Sequence, residues 1–591
     1  MQIVHVFDKI RSNTDKEKIF GDSENAGFLL TNKNLGYVYF SGKKVDSRYQ
    51  GVFFPVGEKL FRVIADLRID GNVNGIVNRF YSVERAYEKN VDRFLMPWNY
   101  NSLIYELEKN DWISLRLDTR ETYSQEKFGR YYEFSEENGR LVVKYTKKNE
   151  FDGKIEYENY LIIHGAGEYK KVEEWENVPY EGDKERNSPP FEMFIYNALK
   201  IKARTLIFSF SDNKEKAMKE SEKLVKNLVQ IEMRHEEEVM RKVNVRKKLP
   251  KEIKFAYSCC LNSLEQLKTG KGLIAGFPWF FQHWTRDELI AMNALEAEER
   301  KGILMAYLSG ITPDGRLPNI LNSEKTNADS IGWLFKRISD SLKLFNSKEK
   351  KVVSKILSDT INKLEKGYVI SGLSYNEKNE TWMDSSFAED NGREGFRIEI
   401  QAMFLNMLSL TYELTKEREY REKEKKLKAI VIEKFWNGKI LADGIGDFTI
   451  RPNIFLAYYL YPDLLSRKNW EKCFENSLKS LWLDWGGLSS IDKNSKLFSP
   501  RDTGEDPRSY HRGNSWFFLN NLAAVALSRI NKKRFQKQIE RLMHASTDDI
   551  LWNGAIGHHS ELSSAEKQTA GGCVAQAWSA ASYTELIDEI G

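Results

Sequence analysis

Two acidic residues stand out by their neighbours. Asp384 closes the run Glu380-Thr381-Trp382-Met383-Asp384, where a tryptophan and a carboxylate share a segment otherwise built of loop-forming polar residues. Glu561 lies in GAIGHHSELSS, Gly554 to Ser564, a run rich in glycine and serine. A tryptophan beside an aspartate suits a ligand with an apolar face to stack and a polar edge to attack, and sugars have both surfaces. Breaking a glycosidic bond needs two carboxyl groups on opposite sides of it, one protonated to expel the leaving oxygen and one ionised to activate water or to attack. Trp382 and Met383 are expected to make an apolar setting that raises the Asp384 pKa and favours the proton-donor role. The polar surroundings expected around Glu561 favour an ionised base. By residue type alone both compete with the rest of the 86 acidic side chains, and a solvated carboxylate stays the alternative for each.

Further candidates sit in similar runs. In HWTRDE, Arg286 and Asp287 stand at a helix start, where the aspartate either stabilises the helix dipole or meets a sugar hydroxyl. His511 and Trp516, in RSYHRGNSW, are either core residues or ligand contacts. Glu399, in FRIEIQAMF, falls on an apolar face, so it must be paired or face a ligand.

These runs need elements to position them. At 591 residues the chain exceeds what one core supports, so at least two domains are expected. Residues 1–212 read as short β-rich runs between turn signals, such as NLGYVYFSGKKVDSRYQGVFFPV and TLIFSFSD, which predicts an antiparallel β-sandwich. Residues 213–250 predict a helical linker, with Ala217, Leu224, Leu228 and Ile231 along the one stripe that should lie against a neighbouring domain. From 251 to 591 the period becomes helical, with twelve segments starting near 252, 285, 299, 326, 348, 396, 418, 454, 468, 512, 532 and 572. Every second one follows a polar-aromatic run: GFPWFFQHWTRDE, KTNADS, ETWMDSSFAED, TIRPN, RSYHRGNSW and SELSSAEKQTAGG. Twelve alternating helices predict an (α/α)6 barrel, in which the inner helices point the same way and gather their lead-in groups at one mouth. The expected fold is therefore a multidomain α+β chain, a sandwich followed by this barrel.

Composition excludes several classes. A net charge of +4 over this length argues against a nucleic-acid partner. Cys259, Cys260, Cys473 and Cys573 form no CxxC pair, so buried thiols are expected, with no metal site and no cofactor. The opening MQIVHVFDKIRSNTDKEK lacks an apolar stretch of signal-peptide length and no window approaches a membrane span, so no membrane partner and a cytoplasmic location are expected. Nothing in the sequence indicates an oligomeric state.

In this order, GFPWFFQHWTRDELIAM, ETWMDSS followed by RIEIQAMFLNML, TIRPNIF, YHRGNSW, and GHHSEL followed by GGCVAQAWSAA resemble the amylo-α-1,6-glucosidase domain of glycogen debranching enzymes. LLTNKNLGYVYFSGKKVDSRYQGVFF is similar to the opening of prokaryotic members, with Arg48, Tyr49, Gln50 and Gly51 where an Arg-Tyr-His-Gly stretch is usual. The resemblance implies a β-sandwich and an (α/α)6 barrel that removes, with inversion, the single α-1,6-linked glucose left on a trimmed branch of a glycogen-like α-glucan. It makes Asp384 the general acid and Glu561 the general base. It places Trp279, Trp284, Arg286 and Asp287 on the aromatic Arg-Asp motif of the sugar subsite, and Asp329, Glu399, His511 and Gln576 near the mouth; Trp382 and Trp516 join them as substrate-binding candidates. The chain departs from the family at Thr285, where glycine is usual, at Ser385 and Ser386 in place of Ala-Lys, and in LSSAEKQTAGG after the base. It carries no βα alternation for a glucanotransferase domain, so branches must be shortened by another enzyme. The alternatives are a related barrel acting on α-1,4 ends, isomaltose or trehalose, and a non-catalytic glycan-binding protein; retention of both Asp384 and Glu561 argues against the last.

Overall fold

The computed structural model describes residues 1–6, 18–21, 26–42, 44–388 and 390–591. The chain forms two compact units, Met1–Lys271 with Asp548–His558, and Gly272–Thr547 with His559–Gly591.

The first unit is built on β-strands. Its longest strands, Ser102–Glu121 and Glu192–Ser211, pair antiparallel with Ile113 opposite Ile201. Ser102–Glu121 also pairs with Lys59–Ile69 and Val91–Leu95. Only short runs were expected here, and the long strands arise because register shifts at Glu106/Asp111 and Leu115/Arg116 let one chain segment bend through several pairings. The antiparallel expectation fails at one edge, where Gln2–Val6 and Lys18–Gly21 run parallel. Phe94 packs its ring 5.0 Å from Phe28, 5.7 Å from Phe40 and 5.1 Å from Tyr105 in the core of this sandwich.

Residues 213–250 are not one continuous helix. Lys214–Lys226 begins where the Asn213 side chain accepts from the Lys216 N–H, the chain breaks at Asn227, and Leu228–Val243 follows. Residues 244–250 are not helical. The expected stripe does lie on the sandwich: Ala217 packs against Val142 and Ile162, and Leu224 against Leu95, Ile104 and Ile207 with Leu228 and Ile231 beside it. Burying Leu224 fully contributes about 2 kcal/mol.

In the second unit six helices form a closed inner ring: α1 (Thr285–Ala291), α2 (Ser330–Asp340), α3 (Ile398–Thr415), α4 (Asn453–Leu460), α5 (Phe517–Asn531) and α6 (Ala577–Ile590). Each packs on the next, and α6 packs back on α1. All residues of α1 and α4 are buried, as helices enclosed on every side must be. The outer helices bury fewer of their residues. Ser347–Gly367 buries Val353, Leu357, Ile361 and Leu364 on one stripe, and Asn346 with Glu349 closes its start in a capping box. Ala297–Ser309, Arg418–Phe435, Arg467–Leu481 and Gln536–Trp552 complete the outer helices that follow inner ones. Lys251–Gln266, first of the twelve expected helices, is grouped with the first unit. The largest offsets from expectation are at α5 and α6. The two-residue strands Ser515–Trp516 and Ala575–Gln576 take up residues expected to be helical. The four cysteines are free and buried. Among the described residues no helix is long and apolar enough to cross a membrane.

Candidate active site

The lead-ins to the inner helices are stitched together by short ladders. Gly276–Phe277 pairs with Ala575–Gln576, and Leu562–Ser563 pairs with both Ser515–Trp516 and Ala570–Gly571. Backbone pairing thus fixes Glu561, one residue before such a ladder, against the lead-in to α5, while the end of its own lead-in pairs with that to α1.

Glu561 is buried, not bathed in the polar surroundings expected of a Gly- and Ser-rich run. Burial pushes its carboxyl up to about 7, and the charges of Asp384 and Asp502 push the same way. Two donors oppose that: the Tyr510 hydroxyl donates to Oε1 at 2.6 Å and the Cys573 N–H to Oε2 at 2.8 Å. A side chain at Gly572, whose φ is +66°, would collide with Oε2, so the close approach of this loop needs glycine.

Asp384 differs from expectation in the opposite sense. Trp382 and Met383 are buried, yet the Asp384 side chain is 44% exposed and accepts from Arg286 Nη1 at 3.1 Å. Arg286 also donates through Nε to Asp329 Oδ2 at 2.8 Å and through Nη2 to the Thr381 carbonyl at 3.0 Å, tying the lead-ins to α2 and α3 to one guanidinium on α1. Asp287, on the first turn of α1, is buried and held at about 8, first by burial and then by the charges of Glu561 and Asp384 against the pull of Arg286. Gln576 Nε2 donates to its Oδ1 at 2.9 Å. Asp329 is held at about 6 by burial, against the pull of Arg286. One guanidinium therefore serves a site in which Asp287, Asp329, Asp384 and Glu561 feel one another's charge.

The remaining candidates divide by exposure. Trp279 and Trp284 are half-buried on the lead-in to α1, and the Trp284 ring stands edge-on to Phe280 at 6.1 Å. Trp382, Trp516 and His511 are buried in one aromatic cluster: Trp382 meets Trp516 and His511 edge-on at 5.4 Å each, and His511 stacks on Trp516 at 5.1 Å. Buried against one another, they do not form an open platform. Glu399 is paired. Arg393 grips both its oxygens at 2.5 and 2.9 Å, and the same guanidinium donates to Asp443 and to Thr381 Oγ1. Asp443 accepts from Asn453, which in turn accepts from Trp382 Nε1 at 2.7 Å. This buried network anchors the residues just before Asp384.

Sequence reasoning missed Tyr510, Arg393, Asp443 and the Cys573 N–H. Tyr510 adjoins His511 in a run already singled out, and the partner demanded by a buried Glu399 pointed to an arginine such as Arg393 nearby. A backbone donor such as Cys573 leaves no trace in residue type. Among the described residues no group of His, Cys, Asp and Glu is arranged to hold a metal ion.

Residues 256–585, more than half of the chain, match the family described as amylo-alpha-1,6-glucosidase. The chain belongs to the amylo-alpha-1,6-glucosidase family. Its structure is similar to that of a bacterial glucoamylase crystallised with acarbose, at a TM-score of 0.60 and 12% identity over 99% of this chain and 97% of that one. A weaker likeness, with a TM-score of 0.42 and 13% identity over 56% of this chain and 99% of that one, is to the GH63 mannosylglycerate hydrolase of Thermus thermophilus in complex with Tris and D-glycerate. Among curated protein sequences none matches the chain. This family member is a glycoside hydrolase whose β-sandwich is followed by an (α/α)6 barrel.

Proposed function

We propose that the chain is an inverting, exo-acting hydrolase that releases glucose from the α-1,6 branch stubs of a glycogen-like α-glucan in the cytoplasm, with Asp384 as general acid and Glu561 as general base. The observation that carries the pairing is their placement. Asp384 lies in the lead-in to α3 and Glu561 in the lead-in to α6, three positions apart in a closed ring of six.

The division of labour follows from their partners. Both Glu561 oxygens accept hydrogen bonds, from Tyr510 and from Cys573, and two donors favour the carboxylate that a base must present. Burial holds that carboxylate near 7, where it both ionises and takes a proton readily. Asp384 is exposed in the free protein, and an acid must meet the leaving oxygen of a bound sugar directly. The half-buried Trp279 and Trp284 supply the ring surface for stacking.

Incubation with a branched limit dextrin, maltose, isomaltose and trehalose tests the substrate. Glucose released from the limit dextrin well ahead of the others supports the reading; preference for maltose, isomaltose or trehalose assigns the chain to another α-glucoside, and release from none overturns it.

A further inference from the structure

On the outside of the second unit, between the outer helices Arg467–Leu481 and Gln536–Trp552, lies an open groove of about 850 Å³. That volume falls in the range of small-molecule sites. None of the residues lining it belongs to the candidate active site.

Charge sets the groove apart. The chain as a whole is nearly balanced, with 90 Lys and Arg against 86 Asp and Glu, yet five cations line the groove and only two carboxylates, Glu475 and Asp484. Arg534 is neutralised within the protein: its Nε donates to Glu475 Oε1 at 2.6 Å and its Nη1 to Glu471 Oε2 at 3.2 Å. Among the lining residues, Lys479, Lys493, Lys537 and Arg541 then face the single carboxylate of Asp484. Two of these four are fixed by neutral acceptors. Lys493 Nζ donates to the Trp482 carbonyl at 2.6 Å and Arg541 Nη2 to the Asp484 carbonyl at 2.5 Å, bonds that hold the cations in place without cancelling their charge. Lys479 and Lys537 are exposed, and among the described residues no carboxylate pairs with either.

Trp482 adds a flat surface. It is half-buried in the wall of the groove, and among the described residues no ring or cation packs on its indole and no group bonds to its Nε1. An indole face takes a planar ring, while ammonium and guanidinium groups take phosphoryl oxygens. A neutral glucan would satisfy the indole and leave four like charges gathered in one groove; an anion relieves that repulsion.

We propose that this groove binds an organic phosphate, its ring seated on Trp482 and its phosphoryl oxygens held by Lys479, Lys537 and Arg541. Nucleotides and sugar phosphates share this chemistry.

Calorimetry on the full chain with adenosine diphosphate, glucose 6-phosphate, inorganic phosphate and maltose tests the proposal, together with the Trp482 indole 15N–H signal, identified by its loss in Trp482→Phe. Adenosine diphosphate or glucose 6-phosphate should bind and move that signal, and bind more weakly as salt is raised. The tighter of the two names the ring. Lys479→Glu combined with Lys537→Glu, both at exposed positions, should weaken that binding at least about tenfold with Tm unchanged. The proposal is overturned if neither organic phosphate moves the Trp482 signal, if the double variant binds as the wild type does, or if maltose moves the signal as far as they do. Inorganic phosphate binding as tightly as both would also overturn it, by removing any part for the ring.

Discussion

At the scale of single residues, Glu561 makes the site pH-dependent in a direction that assigns its role. Burial raises its pKa to about 7, and a base works only when ionised. The ratio kcat/KM should therefore fall about tenfold for each pH unit below 7 and level off above it. The Tyr510 hydroxyl lowers that pKa, so Tyr510→Phe should move the limb to higher pH. A pH–rate profile that instead falls as pH rises through 7 would make Glu561 the acid. Asp384→Asn keeps the shape and removes the transferable proton; turnover should drop by about 10²- to 10⁴-fold while glucose binding, followed by calorimetry, survives. Asp287 yields a stability prediction. Its folded pKa of about 8 lies above the unfolded value of about 3.9, so the folded state holds the proton more tightly. Its contribution is full below about pH 4 and is lost as pH rises through 8. Asp287→Asn should raise Tm at pH 8.5 relative to wild type, change it least near pH 4, and flatten the pH dependence between them; a lower Tm at pH 8.5 would refute this.

At the scale of elements, the lead-in loops are held by buried ion pairs, and this is where sequence and structure part company. The run around Asp384 stood out because a tryptophan beside an aspartate is an unusual use of a loop. Its environment was not legible: Trp382 and Met383 turn into the aromatic cluster while Asp384 turns out to Arg286, a choice made by chain direction and not by composition. Glu561 misled for the mirror reason, since glycine and serine let the loop tuck into the protein instead of leaving it in water. Glu399 was expected to be either paired or ligand-facing, because an unpaired buried carboxylate is too costly to persist, and of these two the structure shows the pairing. Arg393, which supplies that partner, also holds Asp443 and Thr381. Glu399→Gln should therefore cost stability, about 3 kcal/mol in denaturant unfolding, by leaving charge on Arg393 poorly compensated. KM for the folded variant should change little. The reverse pattern, unchanged stability with a raised KM, would place Glu399 against the sugar.

At the scale of the whole molecule, the alternation of helices was the most legible feature, since inner helices such as α1 and α4, buried throughout, and an outer one such as Ser347–Gly367, buried along one stripe, carry different patterns. Ring closure supplies what no local pattern can: the contact of α6 with α1 makes the third and sixth inner helices opposite one another. Their lead-ins carry Asp384 and Glu561, and the charge of Asp384 reaches Glu561 across the site. Opposed carboxyls leave space for a water between base and anomeric carbon, which inversion requires; that arrangement has a separation of about 6.5 to 9.5 Å, against about 5 to 5.5 Å when one carboxyl attacks directly. The expected first product from an α-linked substrate is therefore β-glucose. Proton NMR of the anomeric signals, recorded before mutarotation equilibrates them, decides the point: β-glucose appearing first supports a water activated by Glu561, and α-glucose appearing first would mean that a carboxyl attacks carbon directly and that the acid–base pairing across the ring is mistaken.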